Sequence, residues 1–598
     1  MAFDGLMVKA VTEELTKTIK NGRIERVLQP DKNEIIFQIR QPGESFKLLI
    51  SYHPQLARIH LTEENKQNPT TPPAFCMLLR KHLEGARITD IEQAGFERIV
   101  QIWLETYENI TKPTKKLLIF ELTGKHSNLV LVDPETKIVL DAAKRILPGQ
   151  SRHRELIPNI PYTPPPFQDK NDPLLVENLE MFSLMLDNAD QNVTTLSELL
   201  SLTFLNLSSF LVKEIIKRSK LNDKITWKEL NFAERNRLWT NFQQIINNKS
   251  SWKPQLVLNL EQKTYEEFIP IESIQYKKEQ LIPFPTISKM LDCYFSNLDR
   301  ERKLNASKTE LTKSIKQILK RYYKKITLQE KELKQAENAE QWKLKGELLL
   351  ANLYKLKGGE KQIEVHNYYE PENSLMIIEL DPQLSGSENA QKMFKKYNKA
   401  KSTLAQLSKQ LLLSREETNY LEGVLFSIEE ATEIGELEEI KEELINQGYY
   451  KEKNKKQKLK TQKNAKITEP LQFWSEDGFM ILVGRNNSQN DYLTMRIAKN
   501  NDIWLHTKNI PGSHVIIKKE AKETIPDSTI EEAAILAAYY SKGRNSNSVP
   551  VDYTIKKNVK KPLNAKPGMV IYDNYKTIYV KPDEEWVNKI KSRKLQKN

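Results

Sequence analysis

The residues whose types and spacing could do chemistry lie at strand ends. In AGFERIVQIWLETY, alternation places Phe96, Arg98, Val100, Ile102 and Leu104 on one face and Glu97, Gln101 and Glu105 on the other. Arg98 opens that apolar face, where a planar guanidinium serves either a rim ion pair or a phosphate or stacked base. The loop ELTGKHSN brings Glu121, Lys125 and His126 to the end of a further strand. Later, NDIWLHTKNIPGSHVIIKK interleaves Trp504, His506, Lys508, a Pro511-Gly512 turn, His514 and Lys518. Rings, histidines and lysines around a turn suit an RNA-contact surface, because stacking and phosphate pairing together give sequence-tolerant affinity. The other reading of the same residues is a Trp buried beside a satisfied His. No HExxH, Cys-x-x-Cys, GxSxG, GxGxxG or Walker A pattern occurs, and TGKHS lacks the earlier loop glycine of a P-loop. The eight histidines include no pair at metal-ligand spacing, so an enzyme of a familiar class is disfavoured and neither metal nor cofactor is expected.

The elements that must position these residues belong to a chain of 598 residues with a formal charge of +13. At 39 % hydrophobic and 29 % charged residues, it can bury real cores while remaining strongly charged. Eight lysines and one glutamate between Lys451 and Lys466 supply +7 of that charge, as a solvated linker or a phosphate-seeking arm. The surplus favours a polyanionic partner, since neutralising phosphates releases condensed counterions. Leu199 to Val212 falls short of the roughly 18 apolar residues of a membrane helix, and MAFDGLMVKAVTEEL has no basic segment feeding an apolar one. A cytoplasmic protein with no membrane partner is expected. Cys76 and Cys293 read as reduced core thiols.

The pattern predicts a multidomain α+β chain. Residues 1–157 open with a helix that Asp4 would cap, followed by antiparallel strands in two packed sheets or one strongly bent sheet. A proline-rich boundary follows, and 174–285 reads as helical. Within it, TFLNLSSFLVKEIIKRS has the outline of a helix–hairpin–helix, or of an ordinary helical pair, with Asn206 at the turn; a tight turn of this kind aims N–H groups at a phosphate. Residues 296–448 carry seams at Leu304, Leu311, Ile315, Ile318 and Tyr322, at Leu404, Leu407 and Leu411, and at Leu437, Ile440 and Leu444. They predict a long antiparallel coiled-coil arm with a small cap over about 346–385. The basic linker spans 449–468, a mixed α/β module 469–582, and a frayed basic tail 583–598.

MAFDGLMVKAVTEEL, FERIV, ELTGKHSNLVLVD, DAAKRILPGQSRHR, VGRNNSQND, DIWLHTKNIPGSHV, AAYYSKGRNSNSVPVDYT and KPGMVIYDNYKTIYV together resemble the NFACT family, across essentially the whole chain. The resemblance implies an N-terminal domain like that of formamidopyrimidine-type DNA glycosylases, a helix–hairpin–helix region, a capped coiled-coil arm and an RNA-binding C-terminal domain. Glycosylase activity is not implied, because Ala2 replaces the catalytic proline and no zinc-finger cysteines exist. Family members bind large (50S) ribosomal subunits blocked by peptidyl-tRNA, recruit alanyl-tRNA and direct template-free alanine tailing of the nascent chain for degradation. A small S4-like RNA-binding rescue protein is a further implied partner. The bond-forming centre would be ribosomal RNA, so this protein would act by positioning.

Residue by residue, the family's tRNA-binding acidic–Arg pair falls on Glu97 and Arg98, with Glu97 where the family usually has Asp, and its early aspartate falls on Asp4. Glu121 and Leu122 match a further tRNA-handling stretch, with Lys125 and His126 beside it. The rRNA or other RNA contacts would fall on Trp504, His506, Lys508, Pro511, Gly512, His514 and Lys518. An older family name motivates a second expectation, a surface adhesin with fibronectin as partner.

Overall fold

Helix α1 (Gly5–Ile19) forms where the Asp4 carboxylate accepts the Met7 N–H at 2.8 Å and Val8, Val11, Leu15 and Ile19 share a buried stripe, with Leu6 buried in a second core. The computed structural model describes residues 3–109, 112–166, 168–189, 195–247, 252–262, 264–337, 339–371, 374–451, 468–519 and 524–593. The chain divides into two units, Met1–Asp299 and Arg300–Asn598. Among the described residues no helix is long and apolar enough to cross a membrane.

The first unit holds α1 and strands β1 (Arg23–Asp31), β2 (Glu34–Gln41), β3 (Glu44–Ser51), β4 (Arg58–Leu61), β5 (Arg87–Gln93), β6 (Ile99–Asn109), β7 (Lys112–Glu121), β8 (Asn128–Asp133) and β9 (Ile138–Ala142), with α1 lying against β4, β5 and β6. Their order is β4-β3-β2-β1-β5-β6-β7-β8-β9. Between β1 and β5 the ladder is short: Arg23 pairs with Arg87, and the Ile24 and Ile88 N–H groups donate to the carbonyls of Ala86 and Gly22 at 2.9 Å each, so two antiparallel meanders join through a few residues at the start of each strand. Helix α2 (Ala74–Leu83) begins after Pro73 and closes the core through Phe75, Cys76, Leu79 and Leu83. Helices α3 (Leu179–Asp187), α4 (Leu196–Thr203), α5 (Ser209–Arg218) and α6 (Phe232–Ile246) build a second core around Phe182, Phe204, Ile215 and Phe242.

The helical reading of 174–285 is corrected at its end. Strands β10 (Gln255–Asn259), β11 (Thr264–Ile269) and β12 (Leu281–Pro283) form an antiparallel sheet in the order β11-β10-β12. Alternation sets its packing: Leu256 and Phe268 enter the α1 core, whereas Val257 and Ile269 pack with Phe210 on the other face.

The long helix α7 (Ile287–Glu337) contributes Ile287, Met290, Leu291 and Phe295 to the first unit's core. In the second unit its Leu311, Ile315 and Leu319 pack with Tyr420, Leu421, Val424 and Ile428 of α9 (Gly386–Glu430). Tyr323 bonds Glu422, Gln329 bonds Gln410 and Glu330 pairs with Arg415, so the two helices run antiparallel. Between them α8 (Ala339–Ala351) and the ladder of β13 (Gln362–His366) with β14 (Leu375–Glu379) bury Leu348, Val365 and Ile378. The third leucine seam belongs to a separate helix, α10 (Ile434–Asn446), packed on the same core.

The rest of this unit holds β15 (Leu471–Trp474), β16 (Met480–Val483), α11 (Asn487–Tyr492), β17 (Ile503–Thr507), β18 (Val515–Ile517), α12 (Asp527–Tyr539), β19 (Val549–Ile555), β20 (Val559–Lys560), β21 (Ile571–Tyr572), β22 (Lys576–Val580) and α13 (Glu584–Ser592). The main sheet has the order β15-β16-β18-β17-β19-β22. Helices α12 and α13 cover one face through Ala533, Ala537, Val587 and Ile590. The expected frayed tail is therefore a packed helix as far as Ser592, with Arg593 paired to Glu532 at 2.6 Å, because Val587 and Ile590 recur at helical spacing. Residues 594–598, and the lysine-rich run apart from Lys451, lie outside the described residues.

Candidate nucleic-acid interface

Three segments distant in sequence meet at the N-terminus of α1. One Asp4 oxygen caps Met7 and the other accepts the Ser208 hydroxyl, which in turn caps α5 through the Leu211 N–H at 3.2 Å. Asn206, in the α4–α5 turn, adopts the left-handed conformation with φ of 50° and accepts the Gly5 N–H on its carbonyl at 3.0 Å. Its side-chain amide donates to the Phe96 carbonyl at 3.1 Å and to Glu97 Oε2 at 3.0 Å. Gln93 completes the tie by donating to the carbonyls of Gly5 and Glu97 at 3.0 and 2.8 Å. Gly5 is required by close approach, since a Cβ there would lie 2.4 Å from the Phe96 ring. Asp4, Glu97 and Arg98, 93 and 94 residues apart in the chain, thus share one rigid corner.

Burial raises the Asp4 pKa, while the Ser208 and backbone bonds and the positive charge of Arg98 oppose it. Arg98 is half-buried, and among the described residues no group hydrogen-bonds or ion-pairs with its guanidinium. It lines a cavity of about 170 Å³ with Phe3, Leu56, Leu122, Gly124 and Phe295. A planar cation beside apolar walls can pair a phosphate while a base packs against the walls.

Glu121 and Leu122 sit behind this corner. Arg154 donates to both Glu121 oxygens at 2.7 and 2.6 Å and the Tyr162 hydroxyl to one at 2.9 Å, with the carboxylate fully buried. Leu122 is in the core, and its N–H holds the Arg98 carbonyl at 2.8 Å. Direct contact of these two side chains with a nucleic acid is thereby corrected to a supporting role, because their surfaces are already spent. Lys125 and His126 stand exposed on the following turn.

The C-terminal motif is mostly interior. Trp504 is fully buried against Leu482, Ile516 and Tyr572, so it offers no stacking face. His514 is buried with its Nδ1 2.7 Å from the Thr494 hydroxyl, and His506 stacks on Trp504 at 5.9 Å. Burial holds both imidazoles neutral, His506 pushed down to about 4 and His514 well below its usual value. Lys518 is bound to buried Asp502 at 2.6 Å. The Pro511-Gly512 turn grips the end of α12: Pro511 accepts the Lys542 N–H at 2.9 Å, and a Cβ on Gly512 would meet that of Ser541 at 2.7 Å. The expected RNA-contact surface is corrected at these residues, and of the set Lys508 alone keeps a usable cation, 3.8 Å from Asp552.

A family model described as NFACT N-terminal and middle domains matches residues 4–463, and one described as NFACT protein RNA binding domain matches residues 470–574. The chain belongs to the NFACT family. Rqc2 homolog RqcH of Bacillus subtilis is 38 % identical over 595 residues, covering 99 % of this NFACT chain and 100 % of that protein. Human ribosome quality control complex subunit NEMF is 24 % identical over 395 residues, covering 59 % of this chain and 33 % of NEMF. A solved N-terminal part of the Streptococcus suis fibronectin/fibrinogen-binding protein is 27 % identical, covers 50 % of this chain and 100 % of that structure, and has a TM-score of 0.42. Homology to RqcH and NEMF supports a ribosome quality control role.

In this NFACT chain, sequence reasoning missed Gln93, Ser208 and Arg154 as site-building residues. Asn206 carried a usable signal, its tolerance of left-handed geometry at a helical turn. Its bond to Glu97, 109 residues away, carried none. Among the described residues no group of His, Cys, Asp and Glu is placed to hold a metal ion.

Proposed function

We propose that this protein is a ribosome quality control factor that binds large (50S) subunits obstructed by peptidyl-tRNA, recruits alanyl-tRNA, and directs template-free alanine tailing. The N-terminal sheet with the α4–α5 turn would be the glycosylase-like domain and its hairpin, and the α7–α9 pair the coiled-coil arm with its cap. The observation that carries the reading is the Arg98 guanidinium, unclaimed among the described residues at a corner pinned by bonds from Asp4, Gln93, Asn206 and Ser208. A corner built this rigidly loses little entropy on binding and fixes where a tRNA sits. The protein's contribution is positioning, with peptide-bond chemistry left to ribosomal RNA, and a small S4-like protein is a fitting companion in the same assembly.

The test is recovery of the full chain from cells with sequencing of its bound RNA. Alanine-specific tRNA should be enriched, and Arg98→Ala should reduce its recovery about tenfold or more, as expected for removing a charge-assisted hydrogen bond. Equal recovery with Arg98→Ala removes this residue from the site, and no tRNA on the parent protein refutes the proposal.

A further inference from the structure

The C-terminal sheet has two unlike faces. Helices α12 and α13 cover one. On the other, β17 directs Trp504 and His506, paired across to Thr554 and Asp552 of β19, and Asp552 in turn lies opposite Thr577 of β22. Part of this face is closed by Tyr572 and Val559 over Trp504. Beyond that cover two rings remain open to solvent, Tyr575 with 44 % and Tyr579 with 72 % of its surface exposed.

Tyr575 immediately precedes β22 and continues the alternation of its Thr577 and Tyr579, so both rings belong to the same face and stand about 13 Å apart along the chain. Tyr575 is braced edge-on by Tyr572 at 5.2 Å, and the Lys508 ammonium lies over its ring at 5.0 Å. Asp552, the acid beneath, is buried and accepts from the Tyr572 and Thr577 hydroxyls at 2.8 and 2.6 Å, with Lys508 at 3.8 Å. Its charge is thus directed inward, while Lys581, two residues beyond Tyr579 in the same alternation, stands exposed.

We propose that Tyr575 and Tyr579, with Lys508 between face and solvent, form a base-stacking platform for unpaired RNA nucleotides. The proposal rests on the RNA-binding reading of this domain and names the nucleotide class and the residues. Two open rings on a pleated face accept any base, because every base has a π-face, and flanking lysines pair the backbone phosphates. Helical RNA would be a poor occupant, since its bases are already stacked on each other. The platform lies on the face of the motif containing Trp504: the buried indole supports it rather than touching RNA.

The test compares binding of the full chain to a labelled single-stranded 12-nucleotide oligouridine and to a 12-base-pair RNA duplex. Tyr575→Ala with Tyr579→Ala should weaken single-strand binding about tenfold or more, given the stacking contribution of each base. The paired Phe variants should stay within about twofold of the parent, since the ring does the stacking, and duplex affinity should not move. Ultraviolet crosslinking of the parent chain, mapped by mass spectrometry, should place adducts on Tyr575 or Tyr579 and does not depend on any variant folding. Unchanged single-strand affinity in the Ala pair with adducts elsewhere overturns the platform. So does equal loss for duplex, or retained RNA affinity with loss of ribosome co-sedimentation, which would give the face to a protein. A parent chain that binds no RNA overturns the RNA-binding reading as well.

Discussion

Asn206 is the residue through which the hairpin reaches the acidic–Arg pair, and a double-mutant cycle with Glu97 tests that link. Asn206→Gly keeps the left-handed turn and the Gly5 N–H bond to the backbone carbonyl, but removes the donors to the Phe96 carbonyl and Glu97 Oε2. A bond to a neutral carbonyl contributes about 1 kcal/mol and one to a carboxylate about 1.5–3, discounted here because the site is only partly buried. Asn206→Ala loses the same bonds and keeps a Cβ at positive φ, roughly 1–2 kcal/mol less favourable than Gly there, so it should be the less stable of the two variants. The sharper readout is tRNA affinity of the full chain. If the amide holds the Glu97 carboxylate in its binding pose, Asn206→Gly and Glu97→Ala each weaken binding, and the double variant is no weaker than the worse single. That coupling amounts to about 1.4 kcal/mol, a factor of roughly ten. Losses that add to within about 0.5 kcal/mol would show that Asn206 and Glu97 act independently and refute the reasoning.

The Glu121–Arg154 pair is buried, so Arg154→Ala should destabilise the first unit by about 3–5 kcal/mol by stranding a carboxylate, whereas Glu121→Leu with Arg154→Met should restore much of the loss; thermal unfolding separates the two, and equal damage would contradict the pairing. His514 is buried and His506 half-buried, and loss of water contact holds both neutral with lowered pKa values. The unfolded chain protonates them first, so stability of β17 and β18 is full above about pH 6.5 and falls as pH drops toward 4, as hydrogen exchange of those strands should report; pH-independent protection there would sink the assignment. For the lysine run from Lys451 to Lys466, glutamine replacement should flatten the salt dependence of RNA binding by roughly one in log–log slope for each phosphate no longer neutralised, and an unchanged slope would leave the run as a spacer.

Much of the fold is legible because its elements obey one period. The alternation in NEIIFQI, SFKLLISY and KKLLIFELT gives β2, β3 and β7, and Pro73 and Gly85 bracket α2. The small sheet at 255–283 escaped because its strands are three to six residues long, too short for a period to show against flanking helices. Helix α13 escaped because the basic character of WVNKIKSRKLQKN masks a two-residue apolar contact, Val587 with Ile590. At the site, residue types identified Asp4, Glu97 and Arg98 through family resemblance, but local spacing could not show that Glu121 faces Arg154. In the C-terminal domain, alternation puts Trp504, His506 and Lys508 on a common face without saying which part of it is covered. The cover comes from Val559 and Tyr572, 55 and 68 residues later. A tryptophan flanked by histidines therefore reads as a contact surface until those later residues are placed.

The same burial explains how a chain with 79 acidic residues can still present itself to polyanions. Several carboxylates are withdrawn from solvent by neutral donors rather than by lysine or arginine. Asp4 is held by Met7 and Ser208, Asp552 by Tyr572 and Thr577, and Glu443 by Tyr420, Asn487 and Ser488. Asp4 and Glu443 order local structure without an ion pair, and Asp552, already bonded by two hydroxyls, holds Lys508 only at 3.8 Å. Cations such as Arg98 and Lys508 then act beside acids, Asp4 and Asp552, that are buried and bonded inward, which is where a phosphate backbone meets least repulsion. Replacing a neutral donor, as in Thr577→Val, would expose the opposite logic: Asp552 loses a bond and draws Lys508 toward itself, so RNA affinity should fall even though no cation has been removed.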